Sequence, residues 1–190
     1  MIILLMPKKK QARRKKIDWL RAALAAFEAD GIEGVRVERL ARTLNVAKSG
    51  FYWHFKDRQQ LYDELLELWE EESTKVVTSS AELAALEPAD RLLQAAHLIF
   101  ENDLGRLDLP LWAWARNCPE VRERVRRIYN VRFSWIRQSF RELGFKGADL
   151  EMRTRLFVIY HAWEGLVFKE RSAAQAKRLI KLRVELLTRP

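Results

Sequence analysis

Val37-Glu-Arg-Leu-Ala-Arg-Thr-Leu-Asn-Val-Ala-Lys-Ser-Gly-Phe-Tyr-Trp-His-Phe55 is the segment from which the rest of the chain is best read. Val37, Leu40, Ala41 and Leu44 recur at three- and four-residue spacing over about two turns, which predicts a short helix. The chain then reverses at Asn45-Val46. Such a reversal commonly requires positive φ, and Asn is the non-glycine residue that tolerates that region best. A second short helix is expected from Ala47 to Phe55. Two short helices joined by a tight turn form a helix-turn-helix unit. Its expected core is Phe27, Leu40, Leu44, Val46, Phe51, Phe55 and Leu61. Lys48, Ser49, Gly50, Tyr52 and Trp53 are left on the outer side of the second helix.

Upstream, Ile17, Leu20, Leu24 and Phe27 mark a longer helix that stops at Asp30-Gly31, a C-terminal signal. Downstream, Asp57-Arg-Gln-Gln60 forms a capping box, in which the Asp side chain accepts from backbone donors and Gln60 reaches back. A long fourth helix starts there, carries Leu61, Leu65, Leu68 and Trp69, and runs toward Ser79-Ser80. Further helices are expected from Pro88, from Pro110 through Trp112 and Trp114, from Pro119 through Phe140, over 148–168 and over 173–187. No stretch alternates strictly. The reading is an all-α fold of about nine helices, with a basic arm at 1–16, a helix-turn-helix domain at 17–60 and a helical body at 61–190.

Charge separates these parts. Residues 1–60 hold 14 basic and 6 acidic residues, a net of +8 out of the +9 of the whole 190-residue chain. A polyanion partner is implied for the N-terminal module, and a different task for the nearly neutral remainder. The single cysteine, Cys118, excludes a disulfide framework and a multi-cysteine zinc site, and it suggests a cytoplasmic protein. The apolar start Met1-Ile-Ile-Leu-Leu-Met6 is shorter than the roughly 7 to 15 residues of a signal-peptide core. Met6 is an alternative start. No run approaches the roughly 20 apolar residues of a membrane span. Three histidines without metal-binding spacing, no Gly-x-Ser-x-Gly elbow and no phosphate loop leave no catalytic constellation, and no metal or cofactor is expected.

Ala25-Ala-Phe27, Gly31-Ile32, Leu40-Ala41, Asn45-Val46 and above all Gly50-Phe-Tyr-Trp-His-Phe-Lys-Asp-Arg-Gln-Gln-Leu61 resemble the N-terminal domain of the TetR family of bacterial transcriptional regulators. The resemblance covers about the first 65 residues. It implies a three-helix head that binds double-stranded operator DNA, a helical body that binds a small-molecule effector, and a homodimer. Carried over by position, it implies that Lys48, Ser49 and Gly50 face base edges and that Tyr52, His54 and Arg58 contact phosphates. Arg36 stands where the family usually has a capping Ser or Thr, and a phosphate partner would rationalise a cation at that helix N-terminus. Trp53 has two readings, a DNA contact or a wedge of head against body. His54 is open between a phosphate ligand and a structural histidine. Lys8 to Lys16 are open between a solvated tail and an arm in the minor groove.

The body is rich in aromatic residues. His97, Phe100, Trp112, Trp114, Tyr129, Phe133 and Tyr160 are candidates for a mostly apolar pocket, since two indoles on one short helix cannot both be buried on a narrow face. By resemblance the last two helices form the dimer interface as an intermolecular four-helix bundle. Phe157, His161, Glu164, Gly165 and Phe168 share steps of three and four on one of them, and Leu179, Leu182 and Leu186 enrich the other. The predicted function is a repressor released from a pseudo-palindromic operator by a small, largely apolar effector. The alternatives are a DNA-binding dimer without a small-molecule switch or with little sequence preference, and a helical adaptor whose basic tail meets an acidic protein.

Overall fold

The computed structural model describes residues 14–168 and 172–190, and among them every regular element is helical. The helices are α1 Lys16–Asp30, α2 Val37–Thr43, α3 Arg58–Glu70, α4 Val76–Thr78, α5 Ala81–Ala84, α6 Pro88–Glu101, α7 Asp108–Asn117, α8 Pro119–Glu142, α9 Gly147–Val167 and α10 Ala173–Thr188. A π turn, Glu71–Lys75, joins α3 to α4, so the expected long fourth helix is three consecutive pieces. All nine expected segments are present. Two short ones are additional: a 3₁₀ turn at Ile32–Gly34, and α5, which is capped by the Ser80 hydroxyl accepting from the Leu83 N–H at 3.2 Å. None of the described helices is long and apolar enough to cross a membrane. The apolar start and most of the basic arm, residues 1–13, lie outside the described residues.

The chain divides into two compact units between Leu65 and Leu66, inside α3. In the first, α1 begins where the Asp18 carboxylate accepts from the Lys15 N–H at 2.8 Å, and it ends at Gly31, whose φ of 64° suits a residue without a Cβ. Phe27, Leu40, Phe51, Phe55 and Leu61 are buried as expected. Leu44 and Val46 are only half-buried, because the 3₁₀ segment lies over Trp19 and that indole takes the central place. Its ring meets Phe51 edge-on at 5.7 Å, and Phe51 stacks on Phe55 at 5.0 Å. The capping box at α3 is also shifted. Asp57 Oδ1 accepts from the Gln60 N–H at 2.9 Å, but the Gln60 side chain accepts from the Lys56 N–H at 2.7 Å, one residue further back than expected.

In the second unit α8 packs on α7, α9 and α6, and α10 packs on α6. Leu92, Leu111, Val125, Ile128, Phe140, Phe157 and Ile180 form the dry centre. Helix α7 starts two residues before the expected Pro110, which still falls in its first turn, where a missing N–H costs nothing. The turn before α7 touches α9 backbone to backbone. A Cβ on Gly105 would lie 2.2 Å from the Ala162 carbonyl oxygen, so only glycine fits there.

Candidate functional site

The Asn45 turn has the expected geometry, φ 54°, and the Val46 N–H donates to the Ala41 carbonyl at 2.9 Å across it. The segment that follows, Lys48–Trp53, is a 3₁₀ helix, tighter than the α-helix expected over 47–55. In it Phe51 is buried while Lys48, Ser49, Tyr52 and Trp53 are exposed, Trp53 at 72% and Tyr52 at 60%. No side chain caps the segment at Ala47, and none caps α2 at Arg36, so the first backbone donors of both are left to solvent or a ligand.

Lys48 is ion-paired with Glu38 of α2. The hydrogen bond from Lys48 holds the Glu38 carboxyl below its ordinary range, and the same bond raises the Lys48 ammonium. Arg58 donates to the Tyr62 hydroxyl and lies over its ring, 5.5 Å from the centroid. Arg36 is exposed, and its Nε donates to the Glu33 carbonyl at 2.8 Å. Gly50 departs from the expectation of a base-facing residue. The direction of its missing Cβ leads to Trp19 Cζ2 at 3.6 Å, so it packs inward and only its backbone remains for DNA. His54 is half-buried with Nε2 2.9 Å from the Arg14 carbonyl, to which it donates. That bond engages Nε2 and leaves Nδ1 for any further contact. Lys48, Ser49, Tyr52, Trp53, Arg36 and Arg58 are thus the exposed part of the predicted set.

Residues 20–65 match the model of the bacterial regulatory proteins of the tetR family. Over 84 residues the chain is 29% identical to the HTH-type transcriptional regulator AcrR of Shigella flexneri, covering 44% of this chain and 38% of that protein. Over 48 residues it is 42% identical to the class C tetracycline repressor protein of Escherichia coli, covering 25% of this chain and 22% of the repressor. Each match spans well under half of the relative's own length. A crystal structure of a transcriptional regulator from Rhodococcus sp. Rha1 superposes with a TM-score of 0.72 at 14% identity over 92% of this chain and 96% of that one, a likeness of fold. Residues 20–65 are thus similar to the DNA-binding segment of tetR-family regulators. TetR-family regulators are DNA-binding proteins and generally repressors.

In the body of the chain the seven predicted pocket residues do not converge on one site. Trp112, Tyr129 and Phe133 share an open cleft of about 570 Å³ with Ile159 and Trp163, and Phe100 lines a different one beside Gly105 and Phe168. Tyr160 lies under the Arg183 guanidinium at 4.0 Å, while His97 buries an Nδ1 that has no hydrogen-bond partner. Trp114 is half-buried and lines neither cleft. A small cavity of about 50 Å³ is built from other residues. Val77, Ile99, Leu104, Trp135, Ile136 and Phe157 supply apolar wall, and Ser73, Thr74, Asp108, Arg132 and His161 a polar end. Arg132 organises that end. Its Nη1 donates to both Asp108 oxygens at 3.0 and 3.2 Å, Nε to Thr74 at 2.8 Å and Nη2 to Ser73 at 3.1 Å. The guanidinium also faces the rings of Trp69 at 5.3 Å and Tyr129 at 4.9 Å. Burial pushes the Asp108 carboxyl up, and Arg132 opposes that shift.

The expected dimer residues divide in two. Phe157, His161 and Glu164 are buried inside the subunit, so they cannot meet a partner. His161 Nδ1–H donates to the Phe157 carbonyl at 2.7 Å, and Nε2 accepts from Arg183 at 2.9 Å. Arg183 also donates to both Glu164 oxygens, at 2.9 and 3.1 Å. Burial, then the neighbouring Arg183 charge, lowers the His161 pKa to about 3. Gly165 faces Asp103, whose carboxylate would stand 3.0 Å from an added Cβ. Leu179 is half-buried, whereas Phe168, Leu182 and Leu186 are exposed. On α9 the exposed stripe is Met152, Leu156, Ile159 and Leu166, turned by one residue from the expected face.

Proposed function

We propose that this protein is a sequence-specific transcriptional repressor that binds a pseudo-palindromic DNA operator as a homodimer and is released by a small, uncharged, largely apolar effector. The observation that carries the reading is the exposed Lys48, Ser49, Tyr52 and Trp53 face of a helix-turn-helix head within a segment of net charge +8. Lysine early in a recognition segment suits guanine O6 or N7, and Tyr52, Arg36 and Arg58 suit phosphate oxygens. The exposed apolar stripe of α9, continued by Leu182 and Leu186 of α10, supports a second copy of the chain as the partner.

The effector's character follows from the cavity. Each charged group at its polar end already has a counterpart: Arg132 is satisfied by Asp108, and both His161 nitrogens are engaged. A charged ligand would leave a buried charge unbalanced, so a neutral one is favoured. A cavity of about 50 Å³ seats a few heavy atoms. A larger effector enters by widening it. Release requires that the effector prefer the conformation that fits DNA less well, and DNA then weakens the effector by the same factor, about 5- to 150-fold.

The test is a titration of duplex DNA from upstream of the protein's own gene against random-sequence duplex. Preference for the upstream DNA, with affinity falling on the order of a thousandfold between about 50 and 200 mM salt, is expected. Equal affinity for both duplexes would leave a DNA-binding protein with little sequence preference. A thermal-shift screen of uncharged small molecules, followed by operator titration with each hit, tests the switch.

A further inference from the structure

The open cleft between α7, α8 and α9 differs in composition from the inner cavity. Arg126, Tyr129, Asn130 and Phe133 stand at i, i+3, i+4 and i+7 on α8, which puts all four on one side of that helix. Trp112 of α7 and, one turn apart on α9, Ile159 and Trp163 complete the walls. The Trp112 and Tyr129 rings lie 5.3 Å apart at 60°, and those of Tyr129 and Phe133 6.2 Å apart at 48°. Aromatic surface from three helices thus meets at an opening of about 570 Å³, a size that suits a small molecule with a flat ring. Arg126 is the one charged group of this lining, and it is exposed. On the same helix Arg124, Arg132 and Arg137 have carboxylate partners in Glu67, Asp108 and Glu151. Among the described residues no ion pair or hydrogen bond engages the Arg126 side chain. A cationic ligand would meet an uncompensated guanidinium, and a neutral one would leave it unused. An anionic group supplies the counter-charge, and a carboxylate matches the guanidinium fork.

We propose that this cleft is a second ligand site and that it takes an aromatic carboxylate, the ring among Trp112, Tyr129, Phe133 and Trp163 and the carboxylate accepting from Arg126 and Asn130. The cleft and the inner cavity share no lining residue, so the proposal stands apart from the effector reading above. Calorimetric titration of the full chain with 2-naphthoate and with its uncharged amide, 2-naphthamide, tests it. At low salt the carboxylate should bind about two- to fivefold more tightly than the amide, the margin of a solvent-exposed ion pair. Arg126→Gln changes an exposed position, so the fold is kept, and it should bring naphthoate down to the affinity of naphthamide. Asn130→Asp, also at an exposed position, should reverse the order of the two probes. Phe133→Leu keeps an apolar wall without the ring and should weaken both by the same factor. Equal affinities in the parent, or a preference for naphthoate that survives Arg126→Gln, would overturn the proposal. Affinities unmoved by Phe133→Leu would place the probes elsewhere and overturn it too. Ile159 belongs to the exposed stripe proposed to meet a second copy, so a side chain of that copy is the competing occupant. A parent that binds neither probe at millimolar concentration would overturn the ligand site, and binding gained by a monomeric Leu156→Asp variant would then identify the second copy as what fills the cleft.

Discussion

Lys48 and Tyr52 leave the same 3₁₀ segment with different chemistry, and their variants should separate accordingly. On the proposed reading Lys48→Ala removes a base-edge donor and should relax sequence preference, costing about 1 to 3 kcal/mol on the best site. On the same reading Tyr52→Phe removes a phosphate contact and should weaken every duplex by a similar factor. Titration of a panel of mutated operators decides between them. If both variants keep the parent ranking, Lys48 does not read bases. His161 makes a prediction of another kind. It stays neutral in the folded protein down to about pH 3, whereas an unfolded histidine titrates near 6.5. Between those limits the unfolded chain binds the extra proton, so stability is complete above about pH 6.5 and declines as the pH falls, by up to about 1.4 kcal/mol per unit. Denaturant unfolding at pH 7 and pH 5 should show this loss in the parent. In His161→Gln, which cannot take up the proton, the loss should be smaller.

The second helix begins without a cap, and Arg36 at that position is engaged with Glu33 instead of the helix's own donors. Arg36→Asn supplies the missing acceptor and should stabilise the protein by about 0.5 to 2 kcal/mol in thermal or denaturant melts. The same change should weaken DNA binding if Arg36 meets a phosphate. The head was legible in the sequence because its signals are local. Asn45 announces the turn by its own backbone preference, and Phe51 and Phe55 announce the buried face by their spacing. The 3₁₀ winding of the second short helix was not legible, since a segment of six residues is too short for its spacing to separate a period of about 3.0 from one of about 3.6. The cavity was hidden for a different reason. Arg132 lies on a helix with many other arginines, and only Asp108 and the π turn, which brings the adjacent Ser73 and Thr74 to one guanidinium, distinguish it. Helix α9 misled differently. Leu156, Phe157, Val158, Ile159 and Tyr160 are consecutive, so periodicity could not say which face is turned inward, and the choice fell one residue, about 100°, away from the exposed stripe.

For the molecule as a whole, the proposed pairing of two copies through that stripe would make assembly a matter of concentration. Leu156→Asp and Ile159→Asp each place a charge where a partner's apolar surface is expected, while leaving the subunit core of Phe157 and His161 untouched. Sedimentation should show the parent as a dimer and the doubly substituted protein as a monomer, and the melting temperature of the parent alone should rise with protein concentration. A monomeric parent would remove the symmetry on which a palindromic operator depends. The other exposed hydrophobic side chain of consequence is on the head. The chain has seven tryptophans, and of these Trp53 alone is exposed, whereas Trp19 and Trp69 are almost completely covered. Its indole is therefore the fluorophore most open to an aqueous quencher such as iodide. When DNA covers the head, that emission should shift to shorter wavelength and lose its sensitivity to quenching, and Trp53→Phe should abolish the change. The protein thus carries its own optical probe for occupancy of the face that defines it.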